Sequence, residues 1–273
     1  MSVSNGATVP TVPADHEVLI ETSGRTTVIT LNRPETRNAL TKSVLARATS
    51  ALEQAAKDDA VRCVVLTGSS GHFCSGADLR NTMAADPDFF DHLESYMDAF
   101  HGVIRAIVRC PKPTIAALAG CAVGFGADMA LACDLRVAAP TANIQEKFVN
   151  IGLMPDGGGT FWLPRLVGTA RAMRAILLAE KLEAKELEQL GVLAACVPPE
   201  ELMTATMAIA QRLEKGPPLA YAAAKAAIYA GLGDIETTLR LEREGQLRLL
   251  RSQDCIEGVM AWAQKREPDF KGE

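Results

Sequence analysis

Two glycine-bearing loops, each following a continuous apolar run of strand length, constrain the fold of this chain more than any other feature. Residues 61–67 and 114–119 are the runs. Apolar on both faces, they match parallel strands with helices packed on either side rather than strands with one wet face. After the first comes Ser70-Gly71-His72-Phe73-Cys74-Ser75-Gly76-Ala77-Asp78-Leu79, and after the second Ala119-Gly120-Cys121-Ala122-Val123-Gly124-Phe125-Gly126-Ala127-Asp128. A loop that carries a strand into a helix leaves backbone N–H groups at the helix start without intrahelical acceptors. Such groups either just make a tight turn or bind an anion or a developing oxyanion. Neither loop is a nucleotide-phosphate loop, because Gly124-Phe125-Gly126 lacks the third glycine of that pattern and no Gly-Lys-Ser/Thr follows.

The rest of the first two-thirds alternates in the same way. Residues 18–20 and 27–31 are β-branched-rich and flank Ser23-Gly24-Arg25, which predicts a hairpin, and Pro34 ends its second strand. Val44, Leu45, Ala48, Leu52 and Ala55 recur at helical spacing over 41–57, with Thr41 as N-cap. A further helix falls within 88–109, a loop enters a helix over 124–132, and 135–139 is a strand. This is an α/β pattern. Beyond Gly159 the chain predicts successive helices over 161–167, 170–179, 184–190, 200–213, 219–229, 235–250 and 256–265, with a short strand at 195–197. The expected organisation is therefore a core over residues 1–200 and a helical region over 201–273 that serves assembly, in a chain whose 273 residues suffice for about two domains at ~150 residues each.

Composition removes several classes of function. A net charge of −5 is the wrong sign for a general nucleic-acid binder. Seven cysteines, an odd number without a Cys-x-x-Cys pair, point to a reducing compartment and no disulfide framework. The four histidines lack metal-ligand spacing, so no metal is expected. Residues 1–16 have neither a basic nor an apolar segment of the kind that directs export. The most apolar stretch, 115–127, stops at Asp128, well short of the ~20 residues that cross a bilayer. A cytoplasmic protein without membrane partners is the expectation.

A third loop, Gly152-Leu153-Met154-Pro155-Asp156-Gly157-Gly158-Gly159-Thr160, sets a carboxylate beside three glycines ahead of a helix. Asp156 and Asp128 both admit two readings: a carboxylate that caps a helix or complements its dipole, and an acid/base group at a site.

Taken together, and in order, these segments resemble the crotonase (enoyl-CoA hydratase/isomerase) superfamily. The resemblance rests on Phe73-Cys74-Ser75-Gly76-Ala77-Asp78-Leu79, on Lys112-Pro113-Thr114-Ile115-Ala116-Ala117 with Gly120 and 124–128, and on 152–160 leading into Leu163-Pro164-Arg165-Leu166-Val167-Gly168. Leu31-Asn32-Arg33-Pro34 with Asn38-Ala39-Leu40, and Glu257-Gly258 with Lys265-Arg266, extend it over nearly the whole chain. It implies a crotonase-like α/β spiral of ββα repeats, a helical C-terminal region that makes homotrimers or dimers of trimers, and an acyl-CoA substrate. No separate cofactor is implied, since coenzyme A enters as part of the substrate.

By position, the resemblance makes the backbone N–H groups of Ala77 and Phe125 the oxyanion-hole donors, with Phe125 standing where the family often has glycine. It assigns coenzyme A and substrate contacts to Arg37, Ala39, Ala77, Asp78, Leu79, Arg80, Trp262 and Lys265. Phe148 and Phe161 would line the pocket. Hydratases of the family use two glutamates; Asp128 stands at one of those places and Phe148 at the other, with Glu146 two residues before it. Asp156 stands where dienoyl-CoA isomerases and ring-opening epoxide/oxepin-CoA isomerases carry their catalytic aspartate. The expected activity is an enoyl-CoA isomerase with Asp128 and Asp156 as acid/base pair. Hydration or dehydration through Glu146, and a CoA- or RNA-binding scaffold without turnover, are the alternatives.

Overall fold

Across Gly24, β1 (Val18–Ser23) and β2 (Thr26–Leu31) form the antiparallel hairpin, with Ser23 facing Thr26. Gly24 takes φ +62, which a glycine adopts without steric cost. The structure is a computed structural model, and residues 16–216, 218–231, 235–266 and 268 are described. From β2 onward the pairing is parallel: β3 (Cys63–Gly68), β4 (Thr114–Leu118), β6 (Leu135–Ala138) and β9 (Ala195–Cys196) complete a six-stranded sheet in the order β1-β2-β3-β4-β6-β9. A second, mixed sheet of β5 (Cys121–Val123), β7 (Asn143–Gln145) and β8 (Leu182–Glu183) lies beyond the ends of β4 and β6. The hydrophobic pattern does not announce it, because strands of two or three residues are too short to show a period.

The two faces of the large sheet sort alternate residues. Ile29, Leu31, Val64, Leu66, Ala116 and Leu118 enter one core with α1 (Lys42–Lys57), α3 (Leu93–Arg109) and α4 (Phe125–Ala132). Val28, Cys63, Val65, Ile115, Ala117 and Val137 enter another, covered by Leu202 and Ala210 of α8 (Leu202–Glu214). Thr41 caps α1, its Oγ1 accepting from the Val44 amide at 3.3 Å. All eight residues of α4 are buried, which explains why it shows no amphipathic stripe. One helix is unanticipated: α2 (Leu79–Ala85) buries none of its residues and starts at Asp78, whose carboxylate accepts from the Asn81 amide.

The helices α5 (Gly159–Val167), α6 (Thr169–Leu177), α7 (Ala184–Gln189), α9 (Pro218–Gly231), α10 (Ile235–Leu249) and α11 (Gln253–Gln264) follow the expected succession. The chain after residue 200 comes back to the core at both ends of this run. While α8 covers the sheet, α11 rests on a 3-10 turn at Phe148–Ile151 so closely that a Cβ on Gly258 would sit 2.4 Å from the Ile151 Cα. No helix among the described residues is long and apolar enough to cross a membrane.

Candidate active site

A cavity of about 1110 Å³ opens between the two glycine loops, α3, α10 and α11. The loops lie side by side because they bond to each other: the Cys74 amide donates to the Cys121 carbonyl at 3.0 Å and the Val123 amide to the Cys74 carbonyl at 2.9 Å. Gly76, at φ +94, passes so near the second loop that a Cβ there would lie 2.8 Å from the Val123 carbonyl oxygen and 3.7 Å from the Phe125 nitrogen. The next amide in the first loop is that of Ala77. Both Ala77 and Phe125 line the cavity, and among the described residues neither amide donates within the protein. Phe125 is the first residue of α4, so its N–H has no intrahelical acceptor. The positive φ that glycine tolerates falls on Gly124, at +54, and not on Phe125. The phenyl ring is buried, 4.5 Å from the ring of Phe100.

Asp156 is the one carboxylate lining this cavity among the described residues. Two elements hold it. Nε2 of Gln246, on α10, donates to its Oδ2 at 2.8 Å, and Nε2 of His101, on α3, lies 2.9 Å from its backbone carbonyl oxygen. A carbonyl only accepts, so that imidazole carries its proton on Nε2. Burial, followed by the nearby Arg105 and Arg243, pushes the His101 pKa down to about 4, which keeps the ring neutral at physiological pH.

Asp128 and Glu146 are fully buried and do not line the cavity. The Asp128 Oδ2 accepts from the Gly157 amide at 3.1 Å. Oδ1 of Asp128 and Oε1 of Glu146 both come within 2.7 Å of the point where Gly159 would carry a Cβ, so the two carboxyl groups converge on that residue. The run of three glycines thus has a packing cause: a side chain on Gly157 would meet Asp128 and Phe125, one on Gly158 would meet Trp162, and one on Gly159 both carboxyl groups.

Of the other expected site residues, Leu79, Arg80, Phe148, Trp262 and Lys265 line the cavity. Arg37, Ala39, Asp78 and Phe161 do not. Arg37 is exposed with φ +55. Ala39 is buried and its carbonyl accepts from Arg33. The Asp78 side chain is committed to Arg33 at 2.8 Å and to capping α2. Phe161 lies in the core beneath the Arg165 guanidinium, 3.8 Å from its ring centre. The cavity also gathers residues that local pattern does not mark: Lys42, Lys147 and Arg266, which add positive charge, and Tyr96, Phe100 and Gln246 from helices distant in sequence. Nothing in the sequence near Gln246 signals a site, because its role depends on where α10 docks. Cys74, between the loops, is not a thiolate nucleophile, since burial pushes its thiol up to about 12.

Comparison with known proteins agrees with this architecture. Residues 21–273 match the family Enoyl-CoA hydratase/isomerase. A probable enoyl-CoA hydratase of Rhodobacter capsulatus is 42% identical over 94% of this chain and 98% of its own length. The 1,2-epoxyphenylacetyl-CoA isomerase of Escherichia coli is 37% identical over 89% and 94%. Among solved structures, an enoyl-CoA hydratase from Mycobacterium avium subsp. paratuberculosis superposes with a TM-score of 0.84 at 34% identity, covering 93% of this chain and 98% of that one. With its two mixed sheets, its helical C-terminal region and this likeness along the whole fold, the chain belongs to the crotonase superfamily of enoyl-CoA hydratases and isomerases.

Proposed function

We propose that this acyl-CoA enzyme shifts a double bond along its thioester substrate by proton transfer, with Asp156 as the acid/base group. The observation that carries the reading is that Asp156 lines the same cavity as Ala77 and Phe125, and no other carboxylate of the described residues lines it. The thioester oxygen binds between the two N–H groups. Asp156 removes a proton from a carbon next to, or conjugated with, the carbonyl. The charge passes to the oxygen as an enolate, which the two amides stabilise without reorganising. The proton on the Asp156 carboxyl group exchanges with solvent, and a proton is then returned to a carbon further along, so that no water is added or lost. Asp128 contributes from outside the cavity by holding the Gly157 amide and with it the loop that presents Asp156. Arg80, Lys42, Lys147 and Lys265 supply positive charge for the phosphates of coenzyme A, and the exposed Trp262 a surface for its adenine. The family resemblance adds a homotrimer or dimer of trimers as the assembly.

Hydration is the second reading, supported by the names of relatives. Besides the Rhodobacter protein, the 2,3-dehydroadipyl-CoA hydratase of E. coli is 34% identical over 94% of this chain and 99% of its own length. Water addition needs a second acid/base group at the cavity, and Phe148 cannot act as one, while Glu146 turns toward Gly159. The two readings separate in water carrying both deuterium and heavy oxygen, with β,γ-hexenoyl-CoA and crotonyl-CoA as substrates. Deuterium in the acyl chain without heavy oxygen is the expected result, and it should vanish in Asp156→Asn. Heavy oxygen entering as a hydroxyl would instead establish hydration.

A further inference from the structure

Gln246 sits on α10, ninety positions from Asp156, yet its side chain is almost fully buried at the cavity wall with Nε2 2.8 Å from the Asp156 Oδ2. A buried primary amide is costly unless its polar atoms are used, and an apolar side chain of similar volume would fill the same space at lower cost. Its Oε1 finds no donor among the described residues, so the NH2 group contacting the carboxylate accounts for the amide's presence. An amide N–H bonds more strongly to an ionised carboxylate than to a protonated one, and the bond therefore favours the ionised form. It also holds one carboxyl oxygen in place while His101 holds the main chain of the same residue. We infer that Gln246 is a positioning residue that keeps Asp156 ionised and oriented as the proton acceptor, so that the C-terminal helical region controls the proton transfer. This inference rests on the reading of Asp156 as the acid/base group.

Other charged groups surround the pair. His101, Asp98 and Arg105 come from α3, and Arg243 lies one turn before Gln246 on α10 with Asp98 and Glu94 as its ion-pair partners. Asp128 from α4 and Glu146 converge on the far end of the 157–159 loop. All of these are retained when Gln246 alone is changed, so the comparison of variants isolates the amide.

The test is the pH dependence of deuterium exchange into β,γ-hexenoyl-CoA by the full-length wild type, Gln246→Met, Gln246→Glu and Asp156→Asn. Loss of one hydrogen bond to a charged group moves a pKa by about one unit. Gln246→Met should therefore shift the acidic limb of kcat/KM upward by about one unit. That is roughly a tenfold loss below the limb, recovered above it, with KM changed less than about twofold. Gln246→Glu, which sets a second carboxyl beside Asp156 to share its proton, should replace the single limb by two coupled ionisations. An unchanged limb in folded Gln246→Met, or a loss equal at every pH, would overturn the inference. If Gln246→Met does not fold, Gln246→Asn, whose amide is one methylene short of Asp156, takes its place: a raised limb supports the inference, and an unmoved limb or a uniform loss overturns it. Exchange by Asp156→Asn at the wild-type rate would remove the Asp156 reading itself. An inactive Asp156→Asn beside an unshifted Gln246→Met would remove only the role given to Gln246.

Discussion

His101 shows how a single buried residue can report on the candidate site without belonging to its chemistry. Its ring is fully buried, and its pKa falls from the ordinary 6.5 to about 4 through burial first and the Arg105 charge second. The unfolded chain therefore binds a proton that the folded protein refuses between those two values. Stability contributed by the neutral ring is complete above about pH 6.5 and lost as pH falls toward 4, a slope worth roughly 3 kcal/mol over the whole interval. His101→Gln offers an amide donor to the Asp156 carbonyl without a titrating group, so urea unfolding between those pH values should show a flatter dependence than in wild type. The same scale governs the glycines before α5. Gly159 has no positive φ, but a methyl group there would overlap both Asp128 and Glu146. Gly159→Ala is expected to lose about 1–3 kcal/mol by overpacking, measured by thermal or urea unfolding.

At the level of elements, helix ends and loop contacts decide where the candidate groups sit. The first glycine loop reaches the second through backbone bonds around Cys74, and this juxtaposition puts Ala77 and Phe125 on one cavity. Gly126 belongs to the same contact, since a Cβ there would lie 2.7 Å from the Cys74 Cβ. Similarly, α11 meets the turn below Phe148 only because Gly258 has no side chain. Gly258→Ala should displace α11 and with it Trp262, Lys265 and Arg266. The expected outcome is a KM for acyl-CoA raised several-fold and a lower unfolding temperature, with kcat less affected than in Asp156→Asn; steady-state kinetics and thermal melts check both. Hydrophobic spacing locates most helices within a few residues, because a buried stripe dictates the period. It does not disclose α2, whose origin is one capping carboxylate, or β5, β7 and β8, which are set by their neighbours rather than by their own residues.

For the whole molecule, the chain after residue 200 packs against what precedes it through α8, α10 and α11. Without α8 the back of the sheet would expose Val28, Val65, Ile115 and Val137, and without α10 Asp156 would lose Gln246. A chain ending at residue 200 should accordingly be recovered aggregated, with lost near-ultraviolet circular dichroism and no exchange activity. A soluble, cooperatively unfolding 1–200 fragment would disprove the interdependence.

The order and spacing of the glycine loops, the apolar runs and Asp156 were legible in the chain as written. Each reflects a local requirement: a turn, a strand buried on both faces, a helix start. They sufficed for the α/β architecture and for the family. Which carboxylate reaches the cavity was not legible, since Asp128 and Asp156 look alike as capping residues and differ only in what packs around them. Nor could neighbouring sequence reveal that Gln246 from α10 and His101 from α3 grip the same aspartate. Contacts between residues so far apart depend on how helices dock across the sheet, a property of the folded core as a whole and of no segment alone.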